Sequence, residues 1–313
     1  MKTAICAAIA VLVAKANSSP VADKAERAVG LPQVPTGCMT SYNGIHWGWL
    51  PDDSSNGAVT MAALHKDTGK PGCFFGDYSH IQSSSYDGSD FTGKTGLTDG
   101  AVMVPAVMPT GVTWNQVDAD LANKIGNAVK VYTEKNIPVY LRFAHEVNCY
   151  GKPGCGSPAY PGGTNYAEFK TAWANVAKVC RSIKGCYMYF CPNLNGDDDI
   201  KNWLPAASDI DIMGIDHYVD GGKSSDSWVS QFGSFYQEYV EPYGKPFLIG
   251  ETACSGCTET QKLAWAKTLT MSDFSAYPLY KGVMWFEYNK ESNFYVVYGQ
   301  SKADIDQFDS NFA

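Results

Sequence analysis

Two glutamates each close an apolar, strand-like run of the chain. Glu146 follows Val139-Tyr140-Leu141-Arg142-Phe143-Ala144-His145, and Glu251 follows Lys245-Pro246-Phe247-Leu248-Ile249-Gly250. A run of β-branched and aromatic residues with few polar breaks reads as a strand buried on both faces of a parallel sheet. Ionisable groups at the C-terminal mouth of such strands are where α/β barrels keep their chemistry. Two carboxylates facing each other across a pocket lined with aromatic residues suit cleavage of a glycosidic bond. One acid protonates the leaving oxygen, and the other carboxylate attacks or stabilises the oxocarbenium-like centre. Glu146 must then hold a proton near working pH, through partial burial or the charge of Glu251. Arg142 is expected within reach of a carboxylate, which it would keep ionised.

The elements that must position these acids recur as strand then helix. Strands are expected at Met39 to His46, Cys73 to His80, Ala101 to Met108, Val139 onward, Tyr187 to Cys191, Ile210 to Tyr218, Phe247 to Glu251 and Gly282 to Tyr288. Helical periodicity runs through Trp114 to Lys135, with Val117, Leu121, Ile125, Val129 and Tyr132 on one face. It recurs in Tyr166 to Ile183, with Phe169, Trp173, Val176, Ala177 and Cys180 on one face. Further helices are expected near Val59 to His65, Asp199 to Leu204, Trp228 to Tyr239, Glu259 to Phe274 and Ala303 to Phe312. The alternation points to one (β/α)₈ TIM barrel in a single domain, residues 37–313. A doubly wound sheet would usually carry a Gly-rich phosphate loop after its first strand, and this chain has none. The strand ends then gather Tyr78, His145, Glu146, Asp216, His217, Tyr218, Glu251, Trp285 and Glu287 at one mouth. Trp47, Trp49, Tyr78, Trp114 and Tyr150 are candidates to stack on sugar faces. For Glu287 two readings stand side by side, a substrate contact or a carboxylate paired with a lysine. A histidine in the place of His217 is more often a core residue with a satisfied hydrogen bond.

The four stretches Arg-Phe-Ala-His-Glu-Val-Asn at 142–148, Asp-His-Tyr at 216–218, Gly-Glu-Thr at 250–252 and Met-Trp-Phe at 284–286 resemble the clan of retaining (β/α)₈ glycosidases. His145 in front of the first glutamate, where most of that clan has Asn, is similar to glycoside hydrolase family 26. That family holds β-mannanases, with some β-glucanases and β-1,3-xylanases. The resemblance implies Glu146 as general acid/base and Glu251 as nucleophile of a double displacement on a β-linked polysaccharide. It also implies His145 against the sugar at the cleaved bond, Tyr218 hydrogen-bonded to Glu251, and Trp285 as the floor of that subsite. The chain departs after Asn148, where Cys149-Tyr150-Gly151 stands in place of the Gly and Trp of a mannanase. A glycan-binding barrel of another class, catalytically weak or inactive, would be told apart by a reducing-sugar assay.

The rest of the chain sets the surroundings. Lys2, the apolar run Thr3 to Ala14 and Ala14-Lys15-Ala16 read as a signal peptide, residues 1–16, with a propeptide or flexible arm over 17–36. Asn17-Ser18-Ser19 is a glycosylation sequon. The chain has 313 residues and a formal net charge of −8 without a basic block, which disfavours nucleic acid and anionic membrane as partners. A secreted monomer acting on a polysaccharide or oligosaccharide fits, with no cofactor and no metal. The sequence holds 10 cysteines, and Cys6 leaves with the signal. Neighbours suggest Cys149–Cys155, Cys180–Cys186 and Cys254–Cys257, then Cys38–Cys73, with Cys191 free; spacing alone cannot fix this connectivity. A redox or zinc reading of Cys254-x-x-Cys257 lacks a second ligand pair. Asp197-Asp198-Asp199 lacks the Gly and distal Glu of a calcium loop and reads as a helix start.

Overall fold

The computed structural model describes residues 30–52, 59–194 and 199–313. The expected signal peptide, the sequon, most of the expected arm, and Asp197 and Asp198 lie outside the described residues.

Eight stretches with apolar side chains on both faces cannot leave either face in water, so they close on themselves. The strands are β1 (His46–Pro51), β2 (Phe74–His80), β3 (Val102–Met108), β4 (Val139–Phe143), β5 (Cys186–Phe190), β6 (Ile212–Asp216), β7 (Phe247–Thr252) and β8 (Tyr280–Glu287). Each pairs in parallel with its neighbours in sequence, and β1 pairs with β8, giving a closed barrel. All seven residues of β3, all five of β4 and all six of β7 are buried. Helices cover the outside, so this is a single (β/α)₈ barrel.

The helices follow their local sequence. Asp118 accepts hydrogen bonds from the backbone N–H of Asp120 and Leu121 and so starts the helix Ala119–Thr133, which buries Leu121, Ile125, Val129 and Tyr132. The stretch Trp114–Gln116, expected within that helix, forms a separate 3₁₀ turn. Asn165 caps the helix Tyr166–Arg181, whose buried face holds Phe169, Trp173, Val176, Ala177 and Cys180.

The first strand lies further along the chain than expected. Between Thr40 and His46 the chain makes a turn, with Gly44 at φ 77 and its N–H bonded to the Ser41 carbonyl at 2.9 Å. The strand therefore starts at His46 and takes Trp47 and Trp49 into its body. Both are fully buried. Trp47 stacks on Trp285 and meets Phe308 of the closing helix Lys302–Asp309, and Trp49 also packs on Phe308.

The four disulfides are Cys38–Cys73, Cys149–Cys155, Cys180–Cys186 and Cys254–Cys257. Cys191 is the free cysteine among the described residues and is buried. Residues 30–36, the end of the expected arm, are tied to the barrel, because the Tyr140 hydroxyl donates to the Pro32 carbonyl at 2.5 Å. Among the described residues no helix is long and apolar enough to cross a membrane.

One glycine is essential to the site. Beside β6 the register of β7 skips a residue, so that Ile215 faces Ile249 and Asp216 faces Glu251. The skipped residue is Gly250, where a Cβ would lie 2.4 Å from Cys191 Sγ and 2.5 Å from Asp216 Oδ1. Gly250→Ala is therefore expected to cost about 1–3 kcal/mol by overpacking. Urea denaturation checks this, and an unchanged midpoint would contradict it.

Candidate active site

The end of β4 aims the first acid. The strand stops at Phe143, and Ala144 and Glu146 then take left-handed backbone conformations at φ 50 and 49. Such conformations are strained for residues with a Cβ and persist only where their surroundings hold them. Here the Ala144 N–H donates to the Val107 carbonyl of β3 and the Glu146 N–H to the Cys191 carbonyl, both at 2.8 Å. The Tyr160 hydroxyl donates to the His145 carbonyl at 2.8 Å. Glu146 has thus left the strand, and it does not share a face with Arg142 by strand alternation.

Arg142 stays inside the barrel, fully buried, and serves the other carboxylate. Its Nη2 donates to Glu251 Oε1 at 2.9 Å and to Asp216 Oδ2 at 2.7 Å. Tyr78 donates to Glu251 Oε1 at 2.8 Å and Tyr218 to Glu251 Oε2 at 2.9 Å. Burial raises the Glu251 pKa, but Arg142 and the hydrogen bonds overrule it and hold this carboxyl below its usual range. Asp216 goes the other way. Burial, opposed by Arg142 and reinforced by Glu251, pushes it well up. The buried guanidinium of Arg142 thus bridges two carboxyl groups, Asp216 and Glu251.

Glu146 is pushed up to about 7, first by burial and then, against the pull of His145, by the charges of Asp216 and Glu251. Asn193 Nδ2 donates to Glu146 Oε1 at 2.6 Å and opposes the rise. One oxygen of each of Glu146, Asp216 and Glu251 and a ring nitrogen of His145 all lie within 4.8 Å of one another. These donors could suit a metal ion, but a cation is already built in, since the Arg142 guanidinium binds two of them. In His145, Nδ1 lies 3.1 Å from Arg142 Nη2. The same Nδ1 lies 3.3 Å from Asp216 Oδ2, so it stands between a donor and a carboxyl oxygen. Nε2 has no protein partner. Burial, opposed by the charge of Glu251, lowers the His145 pKa.

These groups open into a cavity of about 620 Å³ whose lining includes Tyr78, His145, Glu146, Tyr150, Tyr218 and Glu251. Arg142 and Asp216 sit behind it and shape it through Glu251. Three other residues expected at the mouth are not in it. Trp285 is fully buried against Trp47, and its Nε1 donates to the Phe294 carbonyl. Its neighbour Phe286 turns to the cavity instead and stacks on Tyr288 at 4.2 Å. Glu287 is fully buried and accepts backbone N–H bonds from Val296, Val297 and Tyr298 at 2.7–2.9 Å. It therefore anchors a loop from inside the core, with Lys262 near enough to favour its charge. His217 is a core histidine bonded to Gln231 at 2.7 Å. Trp47, Trp49 and Trp114 are likewise core residues without a place in the cavity. Asp199 pairs with Lys152 at 3.1 Å.

Asn193 escaped the sequence reading. It follows β5 in Phe190-Cys191-Pro192-Asn193, a strand end like the others, but an amide carries no charge to mark it. Asn148 clamps its backbone, donating to its carbonyl and accepting from its N–H. Asn193→Ala removes a donor to the ionised Glu146 carboxylate, so the Glu146 pKa rises above about 7. The basic limb of the kcat/KM profile is expected to move to higher pH. An unmoved limb would mean that the bond does not bear on this acid.

A (β/α)₈ barrel with two buried acids facing one another at its C-terminal mouth has the architecture of a glycoside hydrolase. The model of glycosyl hydrolase family 26 matches residues 78–282. The chain belongs to this family and is a glycoside hydrolase. A GH26 β-mannanase from Bacteroides ovatus superposes with TM-score 0.58 at 15% identity, covering 85% of this chain and 88% of that one. The GH26 domain of an endo-β-mannanase/endo-β-glucanase from Prevotella bryantii gives 0.56 at 15% identity, covering 86% and 89%. Two fungal β-1,4-galactanases are represented by a structure at 0.57 and 11% identity, covering 84% and 98%. No curated protein matches the chain.

Proposed function

We propose that this chain is a secreted, monomeric endo-hydrolase of β-linked polysaccharide, β-mannan first, that works by double displacement with retention. The observation that carries this reading is the approach of Glu146 and Glu251, with one oxygen of each within 4.8 Å of the other. Retaining enzymes hold their carboxyls about 5–5.5 Å apart, and inverting ones about 6.5–9.5 Å to seat a water. Glu146, protonated below about pH 7, gives its proton to the leaving oxygen. Glu251, held ionised by Arg142, attacks the anomeric carbon. Once Glu251 is esterified its charge is gone, so the Glu146 pKa falls and the same group takes a proton from the incoming water. His145 lines the cavity within reach of a sugar hydroxyl, and Tyr150, Tyr218 and Phe286 offer apolar faces.

Mannan is placed first because the similar GH26 structures include β-mannanases; β-glucan, β-1,3-xylan and β-galactan are the competitors. Disulfides at four positions fit an oxidising compartment, so we read residues 1–16 as a secretion signal. The test is hydrolysis of a panel of these polysaccharides, with NMR of the first-formed anomer and sizing of the early products. β-Anomer first and mid-chain cuts are expected. α-Anomer first would overturn retention, and failure on every polymer would overturn the enzymatic reading.

A further inference from the structure

The nucleophile is held unevenly. Glu251 Oε1 accepts from both Arg142 Nη2 and the Tyr78 hydroxyl, at 2.9 and 2.8 Å, whereas Oε2 accepts from Tyr218 at 2.9 Å. The barrel register makes this possible. Tyr78 of β2 pairs with Ala106 of β3, and Ala106 pairs with Arg142 of β4. Residues level with one another on parallel strands share a face, so two long side chains flank one methyl group. The small Ala106 leaves room for the Tyr78 hydroxyl and the guanidinium to converge on a single oxygen.

We propose that Tyr78 is a positioning residue for the nucleophile: with Arg142 it anchors Oε1 of Glu251, leaving Oε2 as the atom that bonds to the sugar. This rests on the reading of Glu251 as nucleophile. In the first step the bond from C1 to Oε2 forms while the glycosidic C1–O bond breaks, and the leaving oxygen takes the proton of Glu146. In the second, water attacks C1 and gives its proton to Glu146, and the C1–Oε2 electron pair returns to the carboxylate. An ester oxygen is a poor acceptor, whereas an ester carbonyl remains a good one. Bonding through Oε2 therefore gives up one hydrogen bond, that of Tyr218. Bonding through Oε1 would give up two, those of Tyr78 and of the buried Arg142 guanidinium, which is costlier. Tyr78 thus makes the two oxygens of one carboxylate inequivalent.

Tyr78→Phe removes the hydroxyl and keeps the ring. The substrate for the test is whichever of soluble β-1,4-mannan, mixed-linkage β-glucan, β-1,3-xylan and β-1,4-galactan the wild type cleaves fastest. A hydrogen bond to a charged group corresponds to a loss of about 10- to 100-fold in kcat/KM. The acid limb of the pH profile should also move up, because Glu251 loses a donor while Arg142, His145, Glu146, Asp216 and Tyr218 still face it. A crystal structure of the glycosyl-enzyme trapped with a 2-fluoro glycoside should place the ester bond on Oε2. A bond on Oε1, or a change in KM alone with an unmoved acid limb, overturns the inference and leaves Tyr78 a sugar platform. A wild type inactive on all four polymers overturns the parent reading and this inference with it.

Discussion

Glu251→Gln is expected to lower hydrolysis by about 10⁴-fold or more while leaving the fold intact, because it removes the proposed attacking carboxylate. The fold should survive for a specific electrostatic reason. Arg142 loses one partner, but Asp216 Oδ2 lies 2.7 Å from the same nitrogen and remains its carboxyl partner. Glu146→Gln should behave differently. A missing general acid costs about 10²–10⁴-fold on natural substrates. The loss should shrink with an activated aryl glycoside, whose leaving group departs without a proton. Steady-state kinetics on both substrate types, beside circular dichroism and melting curves, checks the pair. Near wild-type turnover by either variant would remove that residue from the mechanism.

Arg142→Met is expected to cost about 3–5 kcal/mol of stability, the effect of stripping one partner from a buried ion pair. Met approximates the volume but leaves the Glu251 carboxylate, at 4% exposure, without its cation. The remaining hydrogen bonds from Tyr78 and Tyr218 cannot replace a charge, so burial dominates and the Glu251 pKa rises. The variant that still folds should show its acid limb shifted to higher pH. Urea denaturation gives the stability and the kcat/KM profile gives the shift. A variant as stable as wild type would mean that the guanidinium is no counter-charge.

The residues following Asn148 are where the resemblance to a mannanase breaks off. Cys149 is bonded to Cys155, and Gly156 packs so closely on Tyr150 that a Cβ there would lie 2.5 Å from the ring. Tyr150 in turn stacks on Tyr160 and meets His145. The closed loop therefore forms one wall of the cavity on the side of the proposed acid. Substrate preference is best sought there.

The linear chain by itself carried what is local or repetitive. The alternation of apolar runs with helical periodicity sufficed for the barrel, because each strand and each helix face is written in consecutive residues. Glu146 and Glu251 were legible as charges at the ends of apolar runs. The cysteine pairs suggested by proximity are those formed, three of them because short loops leave the sulfurs few other partners. Tertiary structure alone decided which strand-end residues reach the mouth. Phe286 rather than Trp285 faces the cavity, since one step along a strand reverses the face and the register is set by neighbouring strands. Trp47 went to the core because the turn at Gly44 moved the strand. Arg142 went to Glu251, and Asn193 to Glu146, because chain segments distant in sequence meet only once the barrel closes.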